Sequence, residues 1–327
     1  MIKIGIIGLG GIAGAHLAAY RRYPEARIVC AADGKGEGSY SYSMLPPDAE
    51  LYLDYKKMID EAELDAVDIC APSHLHTEIA LYALSRGLHV LCEKPMALCE
   101  SDARKMEAAS KKYGKVLMCA QIIRFSKPYE YLKNVVESGE MGRPVQLYFT
   151  RLSAIPRWRL GSLGQNSTAN GGVMLDLSIH DVDYVYSLFG DPCKISGIYH
   201  GERKDDPNDF FTATLGYDSF NVTVNGGFYE AEIDFTNEFY AVFERGDLRL
   251  DRFSRLYRSG EELKICDTVY AGEIKGLNIE FKSCFVDEIG HFMECVKSGK
   301  PSSVASPAST AGGIALAKRV IDSLDRI

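Results

Sequence analysis

The sequence predicts an α/β domain with a doubly wound parallel sheet, followed by an α+β domain with a large, open and mostly antiparallel sheet. Two observations support the first domain. Short apolar strand patterns alternate with helical patterns up to about residue 120, and a glycine-rich turn joins the first strand to the first helix. Beyond residue 190, segments of strand composition follow one another with short turns, which is typical of antiparallel sheets. We place the domains at residues 1–122 and 123–327.

The first strand, Ile2–Ile7, is almost wholly apolar and β-branched, as expected of a strand buried on both faces. It ends in a G-x-G-x-x-A pattern that runs from Gly8 to Ala13 and opens a helix. In the Rossmann fold such a turn brings backbone N–H groups and a helix N-terminus to the pyrophosphate of a dinucleotide. The candidate phosphate-binding residues are Gly8, Gly10, Gly11 and Ile12.

The second strand, Ala26–Ala32, ends at Asp33. This is about the distance after the glycines at which an acid holds the adenosine ribose hydroxyls. Because a carboxylate repels a 2′-phosphate, NAD is favoured over NADP, although Lys35 keeps NADP open. The alternative is that Asp33 only caps a loop.

The remaining elements of the first domain continue the alternation. They are a helix at Leu53–Asp60, a strand at Ala66–Ala71, a helix at Thr77–Arg86, a strand at Leu88–Cys92, a helix at Ser101–Tyr113 and a strand at Lys115–Ala120. Ligands of such sheets bind beyond the carboxyl ends of the strands. Further candidate cofactor contacts at these ends are Ala71, Pro72, His76, Glu93, Lys94 and Gln121.

The second domain is predicted to combine helices with consecutive strands. The helices are Tyr129–Ser138, Val173–Phe189, Glu280–Lys297 and Pro307–Ser323, and the strands are Val145–Leu152, Lys194–His200, Phe210–Tyr217, Asn221–Tyr229, Phe239–Glu244 and Leu248–Phe253. The last helix, 307–323, could instead fold back against the first domain. An open sheet with an apolar exposed face predicts a homodimer or homotetramer formed through that face.

Composition excludes several classes of function. The net charge of -8, without a basic cluster, argues against nucleic acid as the main partner. Nine cysteines without a C-x-x-C pair indicate reduced thiols in a cytoplasmic protein. The chain enters its first strand directly, and no apolar run approaches membrane-spanning length, so we expect neither a signal peptide nor a membrane anchor.

Three residues are candidates for catalysis. Lys94 follows a buried parallel strand at the end where a nicotinamide is expected, where it could hydrogen-bond the reacting oxygen. Asp176 and His180 are four residues apart on a predicted helix, a spacing that lets a carboxylate orient a histidine general base. The alternatives are a solvated surface lysine and a structural aspartate and histidine.

Two further clusters have open interpretations. His74 and His76 with Glu78 could bind a metal, but in a loop after a strand they are better explained as lining the nicotinamide pocket, so we expect no metal. Arg157 and Trp158 precede the Asp176 helix and suit a polyhydroxylated ligand, or else interface packing.

Taken together, these motifs resemble the Gfo/Idh/MocA family of glucose–fructose oxidoreductases and inositol dehydrogenases. The matching segments, in order, are Gly8–Gly14, Leu53-Asp-Tyr55, Asp65–Pro72, Leu75-His76, Gly87–Pro95, Arg124–Pro128, Gly139–Gly142, Gly171–Asp176 and His180. The resemblance implies that Lys94, Asp176 and His180 act on a secondary hydroxyl of a sugar or cyclitol with NAD as cofactor, in a Rossmann domain followed by an α/β domain that oligomerises through an open sheet. The predicted substrate site consists of Lys94, Arg124, Arg157, Trp158, Asp176 and His180.

One segment departs from the family pattern, because Gly34–Ser43 is glycine-rich where relatives usually carry a helix. Two other functions share the fold. One is a glycoside hydrolase that retains NAD and oxidises its substrate transiently, and the other is a non-enzymatic NAD-binding regulator. The presence of Lys94, Asp176 and His180 together argues against the regulator.

Overall fold

The computed structural model describes residues 1–156, 171–201, 206–271, 274 and 280–327. The chain divides into two compact units. The first unit contains Met1–Phe125 and Asp267–Ala311, and the second contains Ser126–Cys266 and Gly312–Ile327.

Strands and helices alternate through the N-terminal part of the first unit. They are β1 (Ile2–Ile7), α1 (Gly11–Tyr20), β2 (Ala26–Ala32), β3 (Glu50–Tyr52), α2 (Tyr55–Glu61), β4 (Ala66–Ile69), α3 (His76–Ser85), β5 (His89–Glu93), α4 (Glu100–Tyr113) and β6 (Leu117–Ala120). Among the described residues these six strands form one wholly parallel sheet in the order β3-β2-β1-β4-β5-β6. The predicted doubly wound fold is confirmed.

The strand order determines where a ligand can bind. It reverses between β1 and β4, which pair from Ile4 with Ala66 to Ile7 with Ile69. A crevice opens at such a reversal, outside the carboxyl ends of the strands. Ile4, Ile6 and Ile69 are fully buried, so the two central strands form a rigid base for the loops that follow them.

The rest of the chain supplies the second unit and the C-terminal elements. They are α5 (Lys127–Ser138), β7 (Pro144–Ala154), a π-helical turn (Val173–Leu177), α6 (Ile179–Phe189), β8 (Lys194–His200), β9 (Asp209–Gly216), β10 (Asn221–Tyr229), β11 (Thr236–Phe243), β12 (Gly246–Leu250), β13 (Leu256–Arg258), β14 (Glu261–Leu263), α7 (Ser283–Ser298), α8 (Pro307–Ser323) and β15 (Asp325–Arg326). In the described part of the second unit, nine strands form a sheet in the order β14-β13-β12-β11-β7-β10-β9-β8-β15. Only β7 with β10 and β8 with β15 pair in parallel there, so the sheet is mixed and mostly antiparallel, as predicted.

The structure corrects the prediction of a continuous helix from Val173 to Phe189. The N–H of Ser178 bonds the carbonyl of Val173, five residues back, at 2.9 Å, so the first turn is π-helical and α6 starts at Ile179. A π turn inserts one extra residue without interrupting the apolar stripe, and sequence periodicity therefore does not reveal it.

The structural units also differ from the predicted domains. The first segment of the first unit ends at Phe125, close to the predicted boundary at 122. The same unit also includes residues 267–311, which the sequence predicts to belong to the second domain. The reason is hydrophobic burial: Phe285, Ile289 and Phe292 of α7 belong to the same buried cluster as Ile4 and Leu17. The C-terminal helix α8 contributes residues 307–311 to the first unit and its remainder to the second.

Two chain-wide observations concern the thiols and the helices. All nine cysteines are free thiols, and six of them are buried. Within the described residues, no helix combines the length and the apolarity that a membrane crossing requires.

Candidate functional site

The turn after β1 has the geometry that a dinucleotide phosphate needs. Gly8 has a φ of +91°, and a Cβ there would lie 2.7 Å from backbone atoms of Cys70 and Ala71, so only glycine fits. Gly10 is exposed, and a Cβ on it would meet no atom within 4 Å. Helix α1 then begins at Gly11 with no side-chain cap and no acidic residue in its first turn. Its first N–H groups, including those of Gly11 and Ile12, are therefore available to an anion.

Asp33 lies directly after β2 and is bonded to this turn. Its Oδ2 accepts the N–H of Leu9 at 2.8 Å, and its Oδ1 accepts the N–H of Lys35 at 2.8 Å. Partial burial raises the pKa of Asp33, but these backbone donors outweigh that effect and the net pKa is lowered. Asp33 is thus held as a carboxylate, which suits ribose hydroxyls and disfavours a 2′-phosphate.

The glycine-rich segment after Asp33 supports the same turn. Buried Ser41 donates its hydroxyl to the carbonyl of Gly10 at 2.7 Å, and its N–H donates to the carbonyl of Leu9 at 2.9 Å. Short 3₁₀ turns at Gly36–Gly38 and Tyr42–Met44 occupy this segment. Sequence reasoning did not find Ser41, because a serine in a Gly/Ser-rich loop gives no distinguishing signal.

His76 links two loops at the carboxyl edge of the sheet. The side chain is almost fully buried, with Nδ1 2.9 Å from the carbonyl oxygen of Pro95 and Nε2 2.8 Å from that of Ala71. Burial lowers its pKa despite the two carbonyl partners. It therefore ties the loop that carries Ala71 and Pro72 to the loop that carries Lys94.

The alternative of a metal at His74, His76 and Glu78 finds no support in the described residues. Both nitrogens of His76 already face carbonyl oxygens, and Glu78 is exposed and bonded to Tyr55 and Lys56. The group of possible metal ligands found in the described chain lies elsewhere, at His16, Asp68 and Cys70.

Lys94 is half-buried and immediately follows β5. Its backbone N–H donates to Oε2 of buried Glu93 at 2.9 Å. Burial raises the pKa of Glu93, but the hydrogen bond and charge of His16 and the charge and N–H of Lys94 lower it, and the net pKa is lowered. Glu93 is therefore a carboxylate whose partners fix the start of the Lys94 loop.

Behind Glu93 lies a buried cluster that sequence reasoning missed. His16 of α1 places Nδ1 2.8 Å from Oδ2 of Asp68 and Nε2 3.1 Å from Oε1 of Glu93. His16 and Asp68 are fully buried. The sequence signal that could have revealed this cluster is Asp68, a charged residue inside the buried strand Ala66–Ile69. A buried charge is rarely tolerated without a partner.

Gln121 and Arg124 follow β6. Gln121 is fully buried, and neither atom of its side-chain amide has a hydrogen-bond partner among the described residues. A buried amide without a partner is costly, so this side chain fits a contact with a bound ligand. The guanidinium of Arg124 donates to the carbonyl of Val304 at 2.8 Å and to the hydroxyl of Ser309 at 3.1 Å, which gives it a structural role besides the predicted substrate contact.

The second unit carries Asp176 and His180. Asp176 lies in the π turn, His180 is the second residue of α6, and both are half-buried. The turn is anchored on the sheet, because the N–H of Val173 donates to Oδ2 of Asp209 at 2.8 Å. The predicted substrate residues Arg157 and Trp158 lie outside the described residues.

Asp181, next to His180, has a different environment. It is fully buried and accepts two hydrogen bonds from the guanidinium of Arg151, at 2.8 Å and 2.9 Å. Burial lowers the pKa of Arg151, but the Asp181 carboxylate outweighs that effect and raises it. This closed ion pair fixes α6 on β7, so Asp181 stabilises the fold.

Comparison with known proteins finds matches to both parts of the chain. A family model described as an oxidoreductase family with an NAD-binding Rossmann fold matches residues 2–121, and the model of the GFO/IDH/MocA C-terminal domain matches residues 129–249. The 1,5-anhydro-D-fructose reductase of Ensifer adhaerens is 28% identical over 242 residues, covering 73% of this chain and 71% of that protein. The myo-inositol 2-dehydrogenase of Thermotoga maritima is 28% identical over 58% of this chain, and the match spans 55% of its own length.

Solved structures share the fold at lower identity. The myo-inositol 2-dehydrogenase of Lactobacillus plantarum has a TM-score of 0.78 at 23% identity, covering 98% of this chain and 96% of that one. An oxidoreductase from Agrobacterium radiobacter, solved with NAD+, L-tartaric acid and magnesium, has a TM-score of 0.79 at 20% identity and covers 98% of this chain and 96% of its own. The two family models together match most of the sequence. The chain therefore belongs to the Gfo/Idh/MocA family of oxidoreductases, and its first domain is the NAD-binding Rossmann domain of that family.

Proposed function

We propose that the protein is an NAD-dependent dehydrogenase that acts on a secondary hydroxyl of a sugar, cyclitol or related polyol. The observation that carries this proposal is the position of Lys94, half-buried at the carboxyl end of β5 in an NAD-binding domain, with its backbone N–H held by Glu93. The names of the relatives support the substrate class, because they include a reductase of an anhydro sugar and a dehydrogenase of an inositol.

Each catalytic residue has a separate task in the proposed reaction. Oxidation of a secondary alcohol removes a hydride from the carbinol carbon and a proton from the hydroxyl. Bound NAD supplies the hydride acceptor. His180 accepts the hydroxyl proton, Asp176 orients the imidazole of His180, and the ammonium of Lys94 donates a hydrogen bond to the same oxygen. A cation placed where negative charge develops on the oxygen lowers the barrier, because it needs little reorganisation during the reaction.

The test combines a substrate screen with a lysine variant. Purified protein is incubated with NAD and a panel of sugars, cyclitols and their acids, and NADH is followed by absorbance. We expect one substrate class to give NADH, and Lys94→Ala to lower kcat by about 10²-fold or more at nearly unchanged NAD affinity. The matched control is Lys105→Ala, which removes an exposed lysine of α4 paired with Asp102. Equal turnover by wild type and Lys94→Ala would contradict the proposed role.

We also propose that copies associate through one face of the nine-stranded sheet. On β7, Leu147 and Phe149 are buried, whereas Tyr148 between them is half-buried and stacks on Tyr240 of β11 with ring centroids 6.3 Å apart. Tyr240 is 40% exposed. Tyr240→Glu is expected to lower the oligomeric state measured by light scattering, and an unchanged mass would count against this face.

A further inference from the structure

Three buried side chains from three elements form a continuous row in the first unit. His16 comes from α1, Asp68 from β4 and Glu93 from β5. The distances are 2.8 Å from His16 Nδ1 to Asp68 Oδ2 and 3.1 Å from His16 Nε2 to Glu93 Oε1. His16 and Asp68 are 0% exposed and Glu93 is 8% exposed, so bulk water cannot substitute for these partners.

The geometry favours a doubly protonated histidine. A neutral imidazole carries one N–H, so one of its two nitrogens would direct a lone pair at a carboxylate. An imidazolium donates to both carboxylates and balances part of their charge. Burial lowers the pKa of His16, but Asp68 and the neighbouring Cys70 outweigh burial, and the net pKa is raised well above its usual value.

The other titratable groups around the row leave this charge distribution in place. Cys70 Sγ lies 3.6 Å from His16 Nδ1 and 3.5 Å from Asp68 Oδ1, and burial raises its pKa, so it remains a thiol. Glu288 of α7 interacts electrostatically with His16, Asp68 and Glu93, and burial raises its pKa well above the usual value, which favours its neutral form. Burial likewise raises the pKa of Tyr20.

The row ends on the loop of the proposed catalytic lysine. Glu93 accepts from His16 through one oxygen and from the backbone N–H of Lys94 through the other, at 2.9 Å. His16 belongs to α1, the helix whose N-terminus meets the cofactor phosphates in this fold. A single buried cation therefore links the cofactor-binding helix to the first backbone bond of the lysine loop.

We propose that His16 is a positioning residue that, with Asp68 behind it, fixes Glu93 and through Glu93 the backbone of Lys94. The proposal rests on the proposed function only where it concerns turnover, since the positioning of the Lys94 backbone is a separate property. Misplacing a reacting group by about 1 Å can cost on the order of 10²-fold in rate, so His16 matters for turnover although it lies behind the lysine loop.

A buried metal at the same residues is the competing explanation, because His16, Asp68 and Cys70 offer three ligand atoms within 4.8 Å of one another. The distances favour hydrogen bonds. Zinc bonds of about 2.0–2.1 Å to nitrogen and oxygen place tetrahedral donor atoms about 3.3 Å apart. The 2.8 Å between Nδ1 of His16 and Oδ2 of Asp68 is instead an ordinary charge-assisted hydrogen bond.

The decisive experiment measures hydrogen–deuterium exchange of the Lys94 amide in the full-length protein. In His16→Gln we expect this amide to exchange at least about tenfold faster than in wild type, because Glu93 loses the cation that holds it. The matched control is His89→Gln, which removes a histidine from the opposite end of β5, where Nδ1 accepts the N–H of Val116 at 3.0 Å. The control should leave exchange at Lys94 unchanged.

Kinetics provide a second readout once a substrate is known. We expect His16→Gln to lower kcat by about tenfold or more, with NAD affinity within about threefold of wild type. The acid limb of its pH profile should move to higher pH, since Glu93 without its cationic partner has a higher pKa. If His16→Gln fails to fold, Asp68→Asn and Glu93→Gln provide the same test with smaller changes in shape.

Three results would overturn the proposal: unchanged Lys94 exchange in a folded His16→Gln protein, an unmoved pH profile, or one equivalent of metal that leaves with the His16 side chain. Failure of the proposed function looks different. If Lys94→Ala remains active, Lys94 has no catalytic role. The exchange rate of the Lys94 amide in the otherwise unchanged protein still shows whether His16 positions the backbone of Lys94.

Discussion

The N–H of Leu9 donates to Oδ2 of Asp33 at 2.8 Å, so the carboxylate after β2 holds the phosphate-binding turn after β1 in place. Asp33 thereby serves two purposes, since the same negative charge can bind ribose hydroxyls and repel a 2′-phosphate. We predict that Asp33→Asn weakens NAD binding by about tenfold and improves the affinity for NADP relative to NAD. Titration with both cofactors measures this. Asp48→Asn, which removes an exposed acid paired with Arg27, should change neither affinity.

Gly8 and Gly10 should respond differently to the same added methyl group. Gly8→Ala places a Cβ 2.7 Å from backbone atoms at a φ of +91°, so we expect a loss of at least about 1–3 kcal/mol of unfolding free energy. Gly10 has a φ of -72° and open space around it, so Gly10→Ala should keep wild-type stability and lose NAD affinity by about tenfold or more. Denaturant unfolding and NAD titration separate the two effects. A stable Gly10→Ala protein with full NAD affinity would show that the phosphate does not bind at this turn.

The His16 cluster should stabilise the protein over a defined pH range. A histidine whose folded pKa is raised contributes stability that is complete below its unfolded pKa of about 6.5 and is lost as the pH rises through the folded pKa. Glu93, whose pKa is lowered, contributes above its unfolded pKa of about 4.3 and loses its contribution as the pH falls through the folded pKa. The stability difference between wild type and His16→Gln should therefore be largest near pH 6 and shrink toward alkaline pH, as measured by unfolding at a series of pH values.

Glu288 should have the opposite pH dependence to Glu93. Burial raises its pKa, and neither of its oxygens has a hydrogen-bond partner among the described residues. The folded state therefore favours the protonated carboxyl group of Glu288. Above about pH 4.3 the unfolded chain releases that proton and stability falls, by up to about 1.4 kcal/mol per pH unit. Glu288→Gln removes this penalty, and its advantage over wild type should grow with pH. Glu294→Gln, on the exposed side of the same helix, is the control and should show no such trend.

Two aspartates near His180 test the division between catalysis and stability. Asp181→Asn breaks a closed, buried pair with Arg151 and should cost about 3–5 kcal/mol of unfolding free energy. Asp176→Asn should leave stability within about 1 kcal/mol and lower turnover by about 10²-fold. Unfolding and kinetic measurements on both variants test this assignment. If Asp181→Asn loses turnover and Asp176→Asn loses stability, the catalytic carboxylate is Asp181.

The sequence was most informative where one local rule decides the structure. The parallel strands and the turn at Gly8 followed from apolar runs bounded by glycine and proline. Strand β3, Glu50–Tyr52, is too short for any periodicity to show. Residues 267–311 rejoin the first unit through the apolar face of α7, a long-range contact that neighbouring residues do not encode.

The candidate site residues also divide into those that local sequence reveals and those that depend on long-range contacts. Lys94, Asp176 and His180 stood at positions that motif and spacing identify, and their roles remain predictions. His16 escaped notice because a histidine in an apolar helix resembles an ordinary core residue, and its significance depends on Asp68 and Glu93, which are 52 and 77 residues away.

The central claim is hydride transfer from a polyol carbon to NAD by the Lys94 site. The most direct measurement uses a polyol that carries deuterium on the carbinol carbon and follows the reduced cofactor by mass spectrometry. Our account predicts NADH one mass unit heavier, with a primary isotope effect on turnover, and almost none of this product from Lys94→Ala. Unlabelled NADH, or equal labelling by wild type and Lys94→Ala, would contradict it.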